Sequence, residues 1–194
     1  VPGKKAKMVA HRGLSGLELE NTNAAFVAAG QRSFYGVETD TQRTKDGHFI
    51  AFHDGELDRM MGVSIKIKDI TLEELRKYQM KDFWEKRKRS DLIVPTLDEY
   101  IRICKHYEKV CILELKDYFS DKDIEDMLAL IKEEDYLDNV VFISGNWDSL
   151  INLRKQLPDH PAQYICGKVD DELIEKLVAN KLDIDPYFEC LTEE

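Results

Sequence analysis

The chain has 194 residues, of which 43% are hydrophobic and 34% charged, and a formal net charge of −10. This is long enough for one substantial core and short for two, so a single domain over 1–194 is expected. The negative charge argues against a nucleic-acid backbone as main partner, since that would call for a basic face.

Short β runs alternate with amphipathic helices, the pattern of an α/β protein with a parallel sheet. Residues 8–10 form the first strand, and a small-residue helix over 23–31 stops near Gly30. The second and third strands are expected over 36–40 and 48–53. Thr71 with Glu74 three residues later is a capping box that starts a helix over 70–78. Pro95-Thr96 followed by Glu99 repeats the device for a helix running to Tyr107. Strands at 110–115, 140–144 and 162–166 alternate with helices at 121–132, 147–156 and 171–180. A last strand opens at Leu182, giving seven strands.

Seven is one short of a closed eight-stranded barrel. Thr192-Glu193-Glu194 has the look of an N-cap and an acidic first helical turn, so a further helix and an eighth strand-helix unit are expected beyond it. An unpaired edge after the seventh strand would invite self-association as a homo-oligomer. Between the second and third strands, 41–47 is too short for a crossover helix, and Asp46-Gly47 signals a tight turn. A two-residue hairpin there would set Asp40 opposite His53 and distort the barrel. The segment 57–90 reads as a small insertion over the barrel mouth. Its run Lys86-Arg87-Lys88-Arg89 reads as a solvated loop.

No stretch approaches the roughly 20 apolar residues that span a bilayer. No signal peptide is visible, although the chain opens on Val1 rather than Met, which leaves room for an upstream segment. Cys104, Cys111, Cys166 and Cys190 show neither a CxxC pair nor zinc spacing. They read mainly as buried thiols, which suits a reducing compartment and a cytoplasmic location.

The chemistry gathers at strand ends, which in a parallel barrel converge on one face. Glu38 and Asp40, two apart on a strand, point the same way and repel each other unless a cation lies between them. Glu114 ends another strand. Three carboxylates and no sulfur suit a hard divalent cation, Mg²⁺ or Ca²⁺. The alternative is that these acids cap loops or pair with Arg12 and Lys116. An unperturbed histidine side chain can give or take a proton near neutrality, so of His11 and His53 one can deprotonate an attacking hydroxyl while the other protonates a departing alkoxide. Arg12 and Lys116 can hold phosphate oxygens. His48, His106 and His160 read as surface residues. Together these groups describe a metal-assisted acid–base site for a phosphodiester.

In this order the residues resemble the glycerophosphodiester phosphodiesterase family. The resemblance rests on His11-Arg12-Gly13, Glu20-Asn21-Thr22, Glu38-Thr39-Asp40, Thr44-Lys45-Asp46-Gly47, His53-Asp54 and Glu114-Leu115-Lys116, with Pro95-Thr96-Leu97 before the fourth strand. Leu19 stands where the family commonly has Pro. The resemblance implies a TIM-type (β/α)8 barrel, here ending before its eighth strand. It implies His11 and His53 as the acid–base pair, Glu38, Asp40 and Glu114 as ligands of one cation, and Arg12 and Lys116 as the phosphate clamp. The implied reaction converts a glycerophosphodiester and water into sn-glycerol 3-phosphate and an alcohol, through a cyclic phosphate formed by the glycerol 2-hydroxyl. A lysophospholipase D-like enzyme on the same barrel is the alternative; it would favour an apolar, membrane-facing insertion, whereas 57–90 offers Met60, Met61, Phe83 and Trp84 but is mostly charged. A silent binding barrel would be expected to have lost one of the seven site residues, and none is lost.

Overall fold

The computed structural model describes residues 6–81 and 89–190, and most of its helices start where the sequence supplies side-chain caps. Thr22 Oγ1 accepts from Ala25 N at the head of α1, Asn23–Gly30. The Thr71–Glu74 box opens α3, Leu72–Leu75, and the Glu99 carboxylate accepts from Thr96 N ahead of α4, Leu97–His106. Ser120 and Asp123 do the same for α5, Asp121–Glu133; Asn146 caps α6, Trp147–Gln156, and Asp170 caps α7, Asp171–Ala179. Each cap satisfies N–H groups that a helix start leaves without an intrahelical partner.

The chain divides into two compact units, Val1–Ile112 and Leu113–Glu194. Strand β4, Val110–Leu115, runs across the division. In the first unit β1, Val9–Ala10, lies parallel to β2, Gly36–Arg43, with Val9 opposite Gly36. Strand β3, Phe49–Ala51, returns antiparallel to β2, with Thr41 opposite Ala51 and Arg43 opposite Phe49. The core behind them joins Phe26 of α1 to Tyr100 of α4, ring edge to face at 4.9 Å, both fully buried. The Tyr100 hydroxyl donates to the Val37 carbonyl at 2.6 Å. Burying rings of this size contributes about 1.5–3 kcal/mol apiece, and the hydrogen bond removes the penalty of burying the hydroxyl.

The hairpin is present, but its turn is one residue longer than expected. Thr44 N donates to His48 O, and Gly47 N to Thr44 O, around a three-residue loop whose Gly47 takes φ +89°. That left-handed residue is the usual solution for a three-residue hairpin loop. The extra residue moves the register by one, so Phe52 N, not His53, donates to Asp40 O at 2.9 Å.

The segment following β3 folds onto the first unit. It contains α2, Asp58–Met61, and a 3₁₀ turn, Ile67–Asp69, neither of which was expected. Leu57, Met60, Ile67 and Leu75 are buried in a cluster with Ile50 and Phe52. The helix expected over 70–78 is reduced to the single turn of α3. Beyond it Met80 N donates to Leu92 O at 3.1 Å. Met60 and Met61 face the core. Phe83, Trp84, Lys86, Arg87 and Lys88 lie outside the described residues, as do Val1 and Thr192-Glu193-Glu194. Arg89 is described, and pairs with Glu18 and Asp91.

In the second unit β5, Val140–Ser144, β6, Ala162–Cys166, and β7, Asp183–Pro186, run parallel. Phe142 stands opposite Ala162, and Gln163 opposite Asp183. Helix α6 carries the chain from β5 to β6 and α7 from β6 to β7, the strand–helix–strand repeat of an α/β protein. Phe142, Leu150 and Leu153 lie at the centre of its core. Seven strands are found among the described residues, as the sequence leads one to expect. His160 departs from its expected surface position: it is half-buried, with Nε2 donating to Val140 O at 2.8 Å and its ring against Phe142.

Candidate active site

The loop after β1 is shaped to bring a backbone N–H to an acid. Arg12 and Gly13 take φ +54° and +76°, a left-handed pair that turns the chain against Glu38 of β2. Arg12 N then donates to Glu38 Oε2 at 2.6 Å, and Gly13 N to Glu38 O at 3.2 Å. A Cβ on Gly13 would come within 2.7 Å of Ala25 in α1, so only glycine allows this approach.

Glu38 and Asp40 are 4% and 1% exposed, deep for two carboxylates of one strand face. Buried charges persist when countercharges and hydrogen bonds surround them. Arg12 Nε lies 3.3 Å from Asp40 Oδ2. Asn21 Nδ2 donates to the same oxygen at 2.7 Å, while Asn21 Oδ1 accepts from Thr39 Oγ1. The Asn21 amide thus fixes the Asp40 carboxylate from one side and Arg12 from another.

Of the two histidines, His53 follows Phe52, whose N–H donates to Asp40 O. His11 is the more open, with 69% of its side chain exposed and Nε2 3.9 Å from Glu38 Oε2. Desolvation on its inner side, then the Arg12 cation, lower its pKa from the usual 6.5, and His53 is near enough to add to the effect. His53 Nδ1 is 2.7 Å from Asp54 Oδ1. The Gln42 amide on β2 donates to the carbonyls of Phe52, His53 and Asp54, which holds that stretch of backbone against the strand.

Four residues without an assigned role complete the grouping: Glu20, Asn21, Asp54 and Arg59. Arg59 Nε donates to Asp54 Oδ2 at 2.6 Å, and its Nη atoms reach both oxygens of Glu20 at 2.6 and 3.2 Å. Glu20 Oε1 in turn accepts from Arg12 Nη1 at 3.0 Å. Burial alone would raise the carboxyls of Glu20 and Asp54; the arginines, with His53 at Asp54, outweigh it and hold both below the usual range. Glu20, Asn21 and Asp54 stand inside the sequence motifs that carry the chemistry, which was the available signal. Arg59 had none, because it lies in a segment read as an insertion.

The first unit therefore brings His11, Arg12, Glu38, Asp40 and His53 into one neighbourhood. Glu114 and Lys116 belong to the second unit, where Lys116 Nζ lies 2.9 Å from Glu114 Oε1.

The fold and this grouping define a hydrolase of the α/β-barrel class, built around paired acids and histidines. The chain belongs to the Glycerophosphoryl diester phosphodiesterase family, whose pattern matches residues 11–187. It is 32% identical over 170 residues to a glycerophosphodiester phosphodiesterase of Caldanaerobacter subterraneus subsp. tengcongensis, covering 86% of this chain and 70% of that protein. Glycerophosphodiester phosphodiesterase 1 of Homo sapiens is 31% identical over 120 residues, 60% of this chain and 36% of its own length. Among solved structures, an Oleispira antarctica phosphodiesterase in complex with the product sn-glycerol-3-phosphate superposes with a TM-score of 0.87. It has 25% identity over 96% of this chain and 77% of that one. A Silicibacter pomeroyi structure shares the fold at 21% identity, with a TM-score of 0.84 over 96% of this chain and 76% of that one.

Proposed function

We propose that this chain hydrolyses glycerophosphodiesters to sn-glycerol 3-phosphate and an alcohol, with one divalent cation, Mg²⁺ or Ca²⁺. The observation that carries the reading is the buried pair Glu38 and Asp40, with Arg12 held against both, His11 Nε2 3.9 Å from Glu38 Oε2, and Phe52 N, next to His53-Asp54, donating to Asp40 O. Glu38, Asp40 and Glu114 each offer a carboxylate oxygen, an all-oxygen donor set suited to a hard cation. These three would hold the ion, which when bound supplies positive charge against the phosphoryl oxygens and the charge that develops on them.

The remaining work falls to the side chains. Arg12 offers a planar fork and Lys116 a point charge to the phosphate. His11, whose pKa burial and then the Arg12 cation lower, takes the proton of the attacking glycerol 2-hydroxyl. His53, held at Nδ1 by Asp54, has Nε2 left to protonate the departing alkoxide. The products of this step are the free alcohol and a cyclic phosphate. Water then opens the ring with the two imidazoles exchanging roles, which restores both. A pair of positioned acid–base groups contributes about 10²–10⁴-fold each. The four cysteines are thiols, and a cytoplasmic setting that keeps them so is part of this reading. No described helix is long and apolar enough to cross a membrane.

Phosphorus NMR of glycerophosphocholine incubated with the protein and Mg²⁺ or Ca²⁺ tests the bond that breaks. The expected product is glycerol 3-phosphate, preceded by a transient cyclic phosphate; phosphocholine as product would overturn the assignment.

A further inference from the structure

Arg59 links the two halves of the proposed acid–base and phosphate machinery through an unbroken chain of ion pairs. His53 Nδ1 meets Asp54 Oδ1 at 2.7 Å, and Asp54 Oδ2 meets Arg59 Nε at 2.6 Å. The Arg59 Nη atoms grip both oxygens of Glu20, and Glu20 Oε1 holds Arg12 Nη1 at 3.0 Å. We propose that Arg59 is a positioning residue that sets the orientation of His53 and of Arg12 together, through Asp54 on one side and Glu20 on the other. This rests on the phosphodiesterase reading above.

The geometry fits that task better than a stabilising one. An exposed ion pair contributes at most about 1 kcal/mol, and 42% of the Arg59 side chain is exposed. Its partners are more enclosed: Glu20, Asp54 and Arg12 keep 21, 24 and 19% of their side chains exposed. The guanidinium uses all three of its nitrogens on two acids from separate loops, a fork that no lysine ammonium reproduces. Its own position is fixed by the next two residues of α2, since Met60 and Met61 are buried in the core. The segment 57–90 therefore delivers a residue to the site.

The test compares Arg59→Met and Arg59→Lys with Glu20→Gln and Asp54→Asn, all at part-exposed positions. In the metal-free protein the His53 Nδ1 proton, assigned with His53→Gln, is expected as a protected imidazole resonance. It should broaden into exchange with water in Arg59→Met and Asp54→Asn and persist in Glu20→Gln. In the kinetic arm, with glycerophosphocholine as substrate, Asp54→Asn should lower kcat and Glu20→Gln raise KM, each about tenfold or more. Arg59→Met should do both, Arg59→Lys should recover neither fully, and added guanidinium should partly rescue Arg59→Met. In Arg59→Met/Glu20→Gln, KM should be no worse than in the worse single variant. An unchanged His53 resonance in Arg59→Met, or kinetics in which it matches wild type, would overturn the proposal. If the wild-type chain fails to hydrolyse the substrate while the resonance responds as expected, the linkage stands and the assigned reaction falls.

Discussion

Arg12 meets three demands at one position. Its N–H donates to Glu38, its Nε lies beside Asp40, and its Nη1 donates to Glu20. The left-handed backbone at φ +54° makes the first contact possible, and such local strain is commonly retained where it serves a site. A different residue-scale effect concerns pH. Burial is the main reason that the His160 pKa lies below its ordinary 6.5, partly offset by the hydrogen bond to Val140 O. An unfolded chain then binds more protons than the folded one just below pH 6.5, so stability rises with pH through that window. The contribution is complete above about pH 6.5 and is lost as pH falls through the lowered folded value. Urea midpoints measured between pH 7.5 and 5.5 should fall less steeply for His160→Gln than for wild type. Parallel slopes would remove His160 from the account.

At the scale of elements, the left-handed glycines Gly13 and Gly47 make unequal demands. A Cβ at Gly13 would sit 2.7 Å from the backbone and side chain of Ala25, which cannot yield without moving α1. At Gly47 the nearest atom is Arg43 Nη2 at 3.0 Å, the far end of a flexible chain. Gly47→Ala should therefore cost about 1–2 kcal/mol, the left-handed penalty alone. Gly13→Ala should add an overpacking cost of about 1–3 kcal/mol and reduce activity by shifting the Arg12–Glu38 contact. Equal unfolding free energies for the two variants would contradict this difference. The same elements show what could be read in advance. The caps at Thr71 and Thr96 formed because short side-chain hydrogen bonds decide helix starts locally. The β4, β5, α6 and β6 boundaries were legible because apolar pattern and length agreed. Register was not, because Gly47 adds a single left-handed residue that no periodicity announces. The length of α3 was not legible either, since Met80 pairs with Leu92, a contact set by tertiary packing. Motif and spacing pointed to His11, Arg12, Glu38, Asp40 and His53 as one group. Arg59 was hidden because its partners, Glu20 and Asp54, lie 39 and 5 residues away.

For the molecule as a whole, the net charge of −10 makes the local cations decisive for an anionic substrate. Arg12 and Arg59 of the first unit, and Lys116 of the second, are each engaged by a carboxylate. The central claim is that the acids and histidines act as one metal-dependent hydrolytic site. The most direct test is the release of glycerol 3-phosphate from glycerophosphocholine and glycerophosphoethanolamine, with Mg²⁺, with Ca²⁺ and with a chelator, by wild type, His11→Ala and His53→Ala. The account predicts release that requires a divalent cation and falls by about 10²-fold or more in each histidine variant. Release that survives the chelator, or that is unchanged when either histidine is removed, would contradict it.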